Sequence, residues 1–180
     1  MSSRRAFLAA TGTGIAGATV GFSGIASAQA GSELPPAIKA LVSMRSQAKP
    51  ISVAERSERI EKARRLMREN AIDALLLTGG TSMEYFTGIR WGLSERLLAA
   101  LIPARGPAFL VTPKFEEERA MEQAHQGPLG AEADVYAWEE DEDPYSLIAA
   151  GLKSRGLSTA VVGAEETVRF VFADRTAQLP

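Results

Sequence analysis

Cysteine is absent from this 180-residue sequence, and histidine occurs once. The lack of cysteine excludes disulfide bonds, thiolate metal sites and cysteine nucleophiles. His125, in Gln-Ala-His-Gln-Gly, has no acidic residue at a helical or strand spacing, so we expect it on the surface near a helix end. No G-x-S-x-G serine motif occurs either. The sequence therefore contains no recognisable catalytic residue.

An excess of charge of one sign is also missing. Lys and Arg number 20 and Asp and Glu number 22, which gives a net charge of −2 and a pI of about 5.6. No basic face emerges, so we expect no nucleic-acid partner. Hydrophobic residues make up 46% of the chain. This length and composition predict one globular domain with a real core, and the chain is too short for two full domains.

The N-terminal 30 residues have the pattern of a twin-arginine signal peptide. Arg4 and Arg5 precede an uncharged stretch of small and apolar residues that ends in two A-x-A sites, after Ala28 and after Ala30. A retained membrane anchor is the alternative, because the stretch is long enough to span a bilayer, but its glycines favour cleavage. Removing residues 1–30 leaves 18 basic and 22 acidic residues, a net charge of −4. We expect the twin-arginine export machinery as a partner, a periplasmic or secreted location, and no stable membrane span after cleavage.

Residues 31–51 carry Pro35, Pro36 and Pro50 around a short helical pattern and are predicted to form a linker or N-terminal arm. Stronger signals begin at Ser52. The sequence Ser-Val-Ala-Glu is a capping box, and the apolar residues that follow recur at helical spacing to about Asn70. We therefore begin the folded domain, residues 52–180, with an amphipathic helix.

The next segments predict an α/β domain. The apolar run Ala74–Leu77 reads as a buried strand, and it is followed by a short helical segment with Ser82 as its cap. Leu97–Ile102 and Ala108–Thr112 are joined by a Pro/Gly turn, which predicts a hairpin and a partly antiparallel sheet. The remaining predicted elements are a helix over 114–124, a strand over 134–138, a helix over 144–155, a strand over 159–163 and a helix over 167–177.

These residues resemble the N-terminal domain of the creatinase/prolidase/aminopeptidase P family, the pita-bread metallopeptidases. The resemblance rests on the segment from Asn70 to Asp73, the Leu-rich strand, and the sequence Tyr-Phe-Thr-Gly ending at Gly88. Ser94–Arg96 and Glu165–Phe170 support it. It implies a ribonuclease H-like fold, a mixed, partly antiparallel sheet flanked by helices. In the family another strand and then the catalytic domain follow, so we expect the chain to be truncated before the pita-bread catalytic domain.

The resemblance also implies where the chemistry lies. The family holds two divalent ions, Mn, Co or Zn, on carboxylates and a histidine of the catalytic domain, so we expect no metal, cofactor or catalytic residue in this chain. Arg90 and Trp91 match a loop near the substrate, where an arginine pairs with a peptide carboxylate and a tryptophan stacks on proline. The alternative places Trp91 in the core and Arg90 in solvent. A homodimer and proline-containing peptide substrates are the further partners that the family implies.

Two acidic segments have simple interpretations. The run Glu139–Asp143 lacks the ligand spacing of a calcium loop and is predicted to be solvated, with Asp143 capping the next helix. Glu165 and Glu166 are adjacent, and adjacent side chains seldom converge on one substrate, so we do not expect them to act as a general acid/base pair. We expect Glu166 or Thr167 to start the last helix instead.

Three functional hypotheses follow. The first is a non-catalytic N-terminal domain of an exported Xaa-Pro peptidase-like metallohydrolase, which shapes the substrate cleft and the dimer. The second is a stand-alone periplasmic binding or dimerisation module without enzymatic activity. The third is an unrelated α/β domain that lacks the family's mixed sheet flanked by helices.

Overall fold

A computed structural model describes residues 34–179, so the predicted signal peptide lies outside the described residues. The chain divides into two units between Ala48 and Lys49. In the first unit, α1 (Pro36–Lys39) is followed by a 3-10 turn (Arg45–Gln47), and residues 34–48 are exposed. The helix is shorter than the sequence pattern suggested, and none of its residues is buried. Across residues 34–179, no helix combines the length and the apolar character needed to cross a membrane.

The second unit alternates helices and strands. Its elements are α2 (Val53–Glu69), β1 (Ala74–Thr78), α3 (Thr81–Thr87), β2 (Ala99–Pro103), β3 (Phe109–Pro113), α4 (Glu117–Gln126), β4 (Asp134–Trp138), α5 (Pro144–Lys153), β5 (Val162–Ala164) and α6 (Phe170–Ala177). A 3-10 turn (Lys114–Glu116) precedes α4.

The five strands form one mixed sheet in the order β4-β3-β2-β1-β5. β2 pairs antiparallel with both β1 and β3, while β4 pairs parallel with β3 and β5 pairs parallel with β1. The hairpin prediction and the mixed, partly antiparallel sheet are therefore confirmed. Because β1, β3, β4 and β5 all run in one direction, their carboxyl ends meet at the same edge of the sheet.

Both faces of the central strands are buried. On one face Leu76, Leu101 and Phe109 pack with Ile148 of α5 and Phe172 of α6. On the other face the core residues are Ile60, Leu77, Met83, Ile89, Trp91, Leu98, Ile102 and Leu110, contributed largely by α2, α3, the central strands and the loop after α3. Helices on both sides explain why β1, β2 and β3 read as continuous apolar runs rather than alternating ones.

The helix ends show which local signals are correct. The Glu55 backbone N–H donates to Ser52 Oγ at 3.1 Å, which confirms the predicted N-cap of α2. Ser82 is not a cap, since Gly80 takes that position with a φ of 140° that favours glycine. The Ser82 hydroxyl instead donates to Glu165 Oε2, 2.5 Å away.

The last helix and the acidic segments also differ from expectation. α6 begins at Phe170, because a turn in which Val168 N–H donates to the Glu165 carbonyl occupies the preceding residues. Asp143 occupies the N-cap position of α5 but makes no side-chain cap hydrogen bond. Its carboxylate instead accepts a hydrogen bond from Arg175 at 3.3 Å, which links the start of α5 to α6.

Candidate functional site

A buried threonine fixes the turn that presents Arg90 and Trp91. Thr87 Oγ1 donates to the Met83 carbonyl at 2.6 Å and accepts the Ile89 backbone N–H at 3.1 Å. Gly88 then ends α3 with a φ of 80°, a conformation that favours glycine. The Thr-Gly pair of the sequence therefore stops the helix and directs the following residues out of it.

Arg90 lies on the surface, with 79% of its side chain exposed. Its Nε donates to Glu84 Oε1 at 2.7 Å, and its backbone N–H donates to Gln123 Oε1 at 2.7 Å. These bonds hold the loop after α3 against α4. The solvent exposure that the alternative interpretation gave to Arg90 is thus observed, and the binding of Arg90 to a peptide stays a prediction.

A polar groove of about 300 Å3 lies next to Arg90. Its lining residues are Val53, Arg56, Gly88, Arg90, Gln123, Gln126 and Gly127. A Cβ atom on Gly127 would lie 2.3 Å from the Thr87 carbonyl oxygen, so the end of α4 approaches the end of α3 too closely for any larger residue. The groove depends on this close approach.

Arg56 gives the groove a second guanidinium group. Its Nε donates to the Glu84 carbonyl at 3.2 Å and its Nη1 to the Ile51 carbonyl at 2.8 Å, which fixes the side chain. Two guanidinium groups and two side-chain amides suit a carboxylate ligand. Nothing in the sequence pointed to Arg56, Gln123 or Gln126, because 33 residues separate Arg90 from Gln123 and only the fold brings them together.

Trp91 is buried, with 8% of its surface exposed, and it belongs to the core. The guanidinium carbon of Arg119 lies 4.1 Å from the centroid of the Trp91 ring, a cation–π contact that covers it. Trp91 lines a different depression from Arg90, together with Gly79, Gly92 and Leu93. The structure therefore does not bring the two predicted site residues into one groove.

The acidic run is tied to the protein at several points. Arg96 Nε donates to Glu140 Oε1 at 2.6 Å, and Glu142 Oε2 accepts the Glu139 backbone N–H at 2.8 Å. The hydrogen bond and charge of Glu140 raise the pKa of Arg96. Residues 139–143 are nevertheless all exposed, which agrees with the expected solvated loop.

A metal centre does not fit the described part of the chain. Residues 34–179 contain no group of three or more histidine, cysteine, aspartate or glutamate side chains placed to hold an ion. His125 is exposed in the last turn of α4, which confirms its expected surface position. Since the donor set is missing here, we assign no metal-dependent step to these residues.

Comparison with known proteins agrees with the fold. The protein-family model that describes the creatinase/prolidase N-terminal domain matches residues 59–179. The probable dipeptidase PepE of Mycobacterium tuberculosis is 30% identical over 125 residues, covering 69% of this chain and 32% of that protein. A Xaa-Pro dipeptidase of Lactobacillus delbrueckii subsp. lactis is 29% identical over 96 residues, covering 53% and 24%.

Solved structures show the same architecture. Dipeptidase PepE from Mycobacterium ulcerans superposes with a TM-score of 0.61 at 27% identity, covering 73% of this chain and 35% of that chain. The N-terminal domain of a Xaa-Pro dipeptidase from Lactobacillus brevis gives a TM-score of 0.58 at 21% identity, covering 66% and 85%, and shows the fold.

The chain is similar to a limited part of its relatives, spanning about 26–32% of the length of the first curated proteins it matches. The family match covers two thirds of the chain and includes the whole sheet. The hypothesis of an unrelated α/β domain is therefore wrong: this chain belongs to the creatinase/prolidase N-terminal domain family.

Proposed function

We propose that this chain is the non-catalytic N-terminal domain of an exported Xaa-Pro peptidase-like metallohydrolase, where it shapes the substrate cleft and the dimer. Two observations support the proposal: residues 59–179 match a family domain whose relatives are named dipeptidases, and residues 34–179 contain no group of side chains placed to hold a metal ion. The two divalent ions, Mn, Co or Zn, then belong to a separate catalytic domain. Residues 1–30 direct export to the periplasm or the exterior.

In this proposal Arg90 recognises the carboxylate of a proline-containing peptide. Its guanidinium group is exposed beside the polar groove and is paired with Glu84, so a substrate carboxylate would compete with Glu84 for it. Trp91 anchors the loop through its buried ring, and any stacking on proline would use the small part of the indole at the surface.

A chimeric enzyme tests this role. Residues 49–179, which include the whole of α2 and Arg56, would replace the matching domain of the Xaa-Pro dipeptidase of Lactobacillus delbrueckii subsp. lactis, and hydrolysis of Ala-Pro would be measured with Mn2+. We expect activity from the chimera and none from the 180-residue chain. Arg90→Ala should raise KM about tenfold with little change in kcat, the loss of one charged contact worth about 1.4 kcal/mol.

Arg105→Ala is the matched control, because Arg105 is exposed and forms no ion pair among residues 34–179. Its KM should equal that of the unmodified chimera. Hydrolysis of Ala-Pro by the 180-residue chain alone would contradict the non-catalytic assignment. An unchanged KM in the Arg90→Ala chimera would remove the carboxylate role.

A further inference from the structure

The polar groove next to Arg90 is lined by positive charge alone. Its seven lining residues include Arg56 and Arg90, and none of the seven is an aspartate or a glutamate. The volume of about 300 Å3 leaves room for a small anion together with several water molecules. Because two positive charges line the groove and no lining carboxylate offsets them, the groove favours a ligand with more than one negative charge.

A single residue, Glu84, holds both arginines. Its carbonyl accepts a hydrogen bond from Arg56 Nε at 3.2 Å, and its Oε1 accepts one from Arg90 Nε at 2.7 Å. Among residues 34–179, neither Arg56 Nη2 nor the two Nη atoms of Arg90 donate a hydrogen bond. The two guanidinium groups are therefore brought to one place, and their terminal N–H groups are available to a ligand.

The two arginines differ in how firmly they are held. Arg56 donates to two backbone carbonyls, those of Glu84 and Ile51, and packs against Gly88, where a Cβ atom would lie 3.2 Å from Arg56 Nε. The side chain of Arg90 is exposed and has one side-chain partner, Glu84. An exposed ion pair contributes little stability, so Arg90 can turn toward a ligand while Arg56 stays in place.

A side-chain amide adds a third donor. Gln123 Oε1 accepts the Arg90 backbone N–H, and Gln123 Nε2 donates to no group among residues 34–179. Gln126 also lines the groove, but its Nε2 donates to Glu122 Oε1 at 3.3 Å. A carboxylate has two acceptor oxygens in one plane, whereas a tetrahedral dianion has four that point in different directions. Only the tetrahedral ion can accept from Arg56, Arg90 and Gln123 together.

We propose that the polar groove binds a small tetrahedral dianion, sulfate or hydrogen phosphate, between the guanidinium groups of Arg56 and Arg90. The bound dianion occupies Arg90 and therefore competes with the peptide carboxylate for it, so the anion regulates the site. The binding depends only on groups within residues 34–179. The competition rests on the proposed function of Arg90.

The first experiment titrates the full 180-residue chain, labelled with 15N, with sodium sulfate at an ionic strength held constant with NaCl. We expect saturable shifts of the Gly88, Arg90 and Gly127 amides and of Arg56 Nε. Acetate, a monocarboxylate, should bind at least about tenfold more weakly than sulfate, because it makes fewer charged hydrogen bonds. A parallel titration with phosphate distinguishes between the two dianions.

Three variants test the arginine pair. Arg56→Gln should weaken sulfate binding at least about tenfold. Arg59→Gln is the matched control, because Arg59 also bonds α3, through the Tyr85 carbonyl at 3.0 Å, but does not line the groove. Its affinity should change by less than about twofold, since solvent and salt screen its charge. Glu84→Gln keeps an acceptor for Arg90 and removes a negative charge beside the ligand, so it should tighten binding about threefold. This gain keeps the test decisive if Arg56→Gln fails to fold.

The second experiment measures competition in the chimera. Sulfate should raise the KM for Ala-Pro without changing kcat, and Arg56→Gln should abolish this inhibition. Inhibition that acts through the metal ions would persist in the Arg56→Gln chimera and would contradict the competition. An inactive chimera would contradict only the proposed function, because the titration of the 180-residue chain does not depend on it.

Three results would overturn the dianion site itself. Equal sulfate affinities of the unmodified chain and a folded Arg56→Gln variant would show that Arg56 does not hold the ion. Equal affinities for sulfate and acetate would remove the preference for a dianion. Shifts that do not saturate, and that NaCl alone reproduces, would identify general screening of charge in place of a site.

Discussion

Gly151 illustrates how one residue sets the distance between a helix and the sheet. A Cβ atom at this position of α5 would lie 2.4 Å from Cε2 and 2.7 Å from Cζ of Phe109. Phe109 is fully buried, and Tyr136 packs edge-on against its ring at a centroid distance of 5.5 Å. The ring therefore has little space into which to move.

Gly151→Ala should lower the free energy of unfolding by about 1–3 kcal/mol through overpacking. The gain of about 1 kcal/mol that alanine normally brings to a helix interior offsets part of this loss, and the 2.4 Å approach to a fully buried ring places the loss toward the upper end of its range. The measurement is the urea midpoint of the full chain. Gly92→Ala is the control, since a Cβ atom there meets nothing within 4 Å, and its stability should stay within about 0.5 kcal/mol. Equal midpoints for the two variants would contradict the overpacking argument.

At the scale of elements, Arg155 joins α5 to two strands. Its side chain is only 7% exposed, and its Nη2 lies 2.5 Å from Asp134 Oδ2 at the start of β4. Its Nε donates to the Pro107 carbonyl before β3 at 2.8 Å, and its guanidinium carbon lies 4.4 Å from the Phe109 ring centroid. One side chain thus serves an ion pair, backbone hydrogen bonds and a cation–π contact.

Arg155→Met should therefore destabilise the protein by about 2–3 kcal/mol, because it removes charged hydrogen bonds while keeping much of the apolar stem. Thermal and urea unfolding would measure the change. Arg105→Met removes the same group from an exposed site without an ion pair among residues 34–179, and should change stability by less than about 0.5 kcal/mol. A loss shared by both variants would indicate a general effect of charge.

At the scale of the whole molecule, the functions proposed for the N-terminal segment and for the folded domain depend on separate residues. The export proposal depends on Arg4 and Arg5 followed by an uncharged stretch, and the domain proposal depends on residues 59–179. We expect Arg4→Lys with Arg5→Lys to leave the full chain in the cytoplasm, because the paired arginines are the signal that the pathway reads.

Cell fractionation in a bacterium with a twin-arginine pathway would measure export, with Arg45→Lys as a control that should be exported normally. Export of the doubly substituted chain, or export in a strain without the pathway, would contradict the prediction. Recovery of the unmodified chain in the membrane fraction at full mass would instead support a retained anchor.

The sequence by itself determined the α/β class, the hairpin and most of the element order. Long apolar runs such as Ala74–Leu77 predict buried strands wherever helices cover both faces, and local signals such as Ser52 and Gly88 act within one turn. The family resemblance could also be recognised from the sequence, because the Tyr-Phe-Thr-Gly segment lies in one continuous stretch.

The tertiary structure decided the features that depend on distant residues. Ser82 does not cap α3, because Gly80 occupies the N-cap position. The Ser82 hydroxyl instead donates a hydrogen bond to Glu165, 83 residues away. The polar groove needs Arg56, Arg90 and Gln123, which come from three separate segments of the chain. Local sequence encodes backbone preference, whereas which groups meet across the sheet depends on the packing of the whole chain.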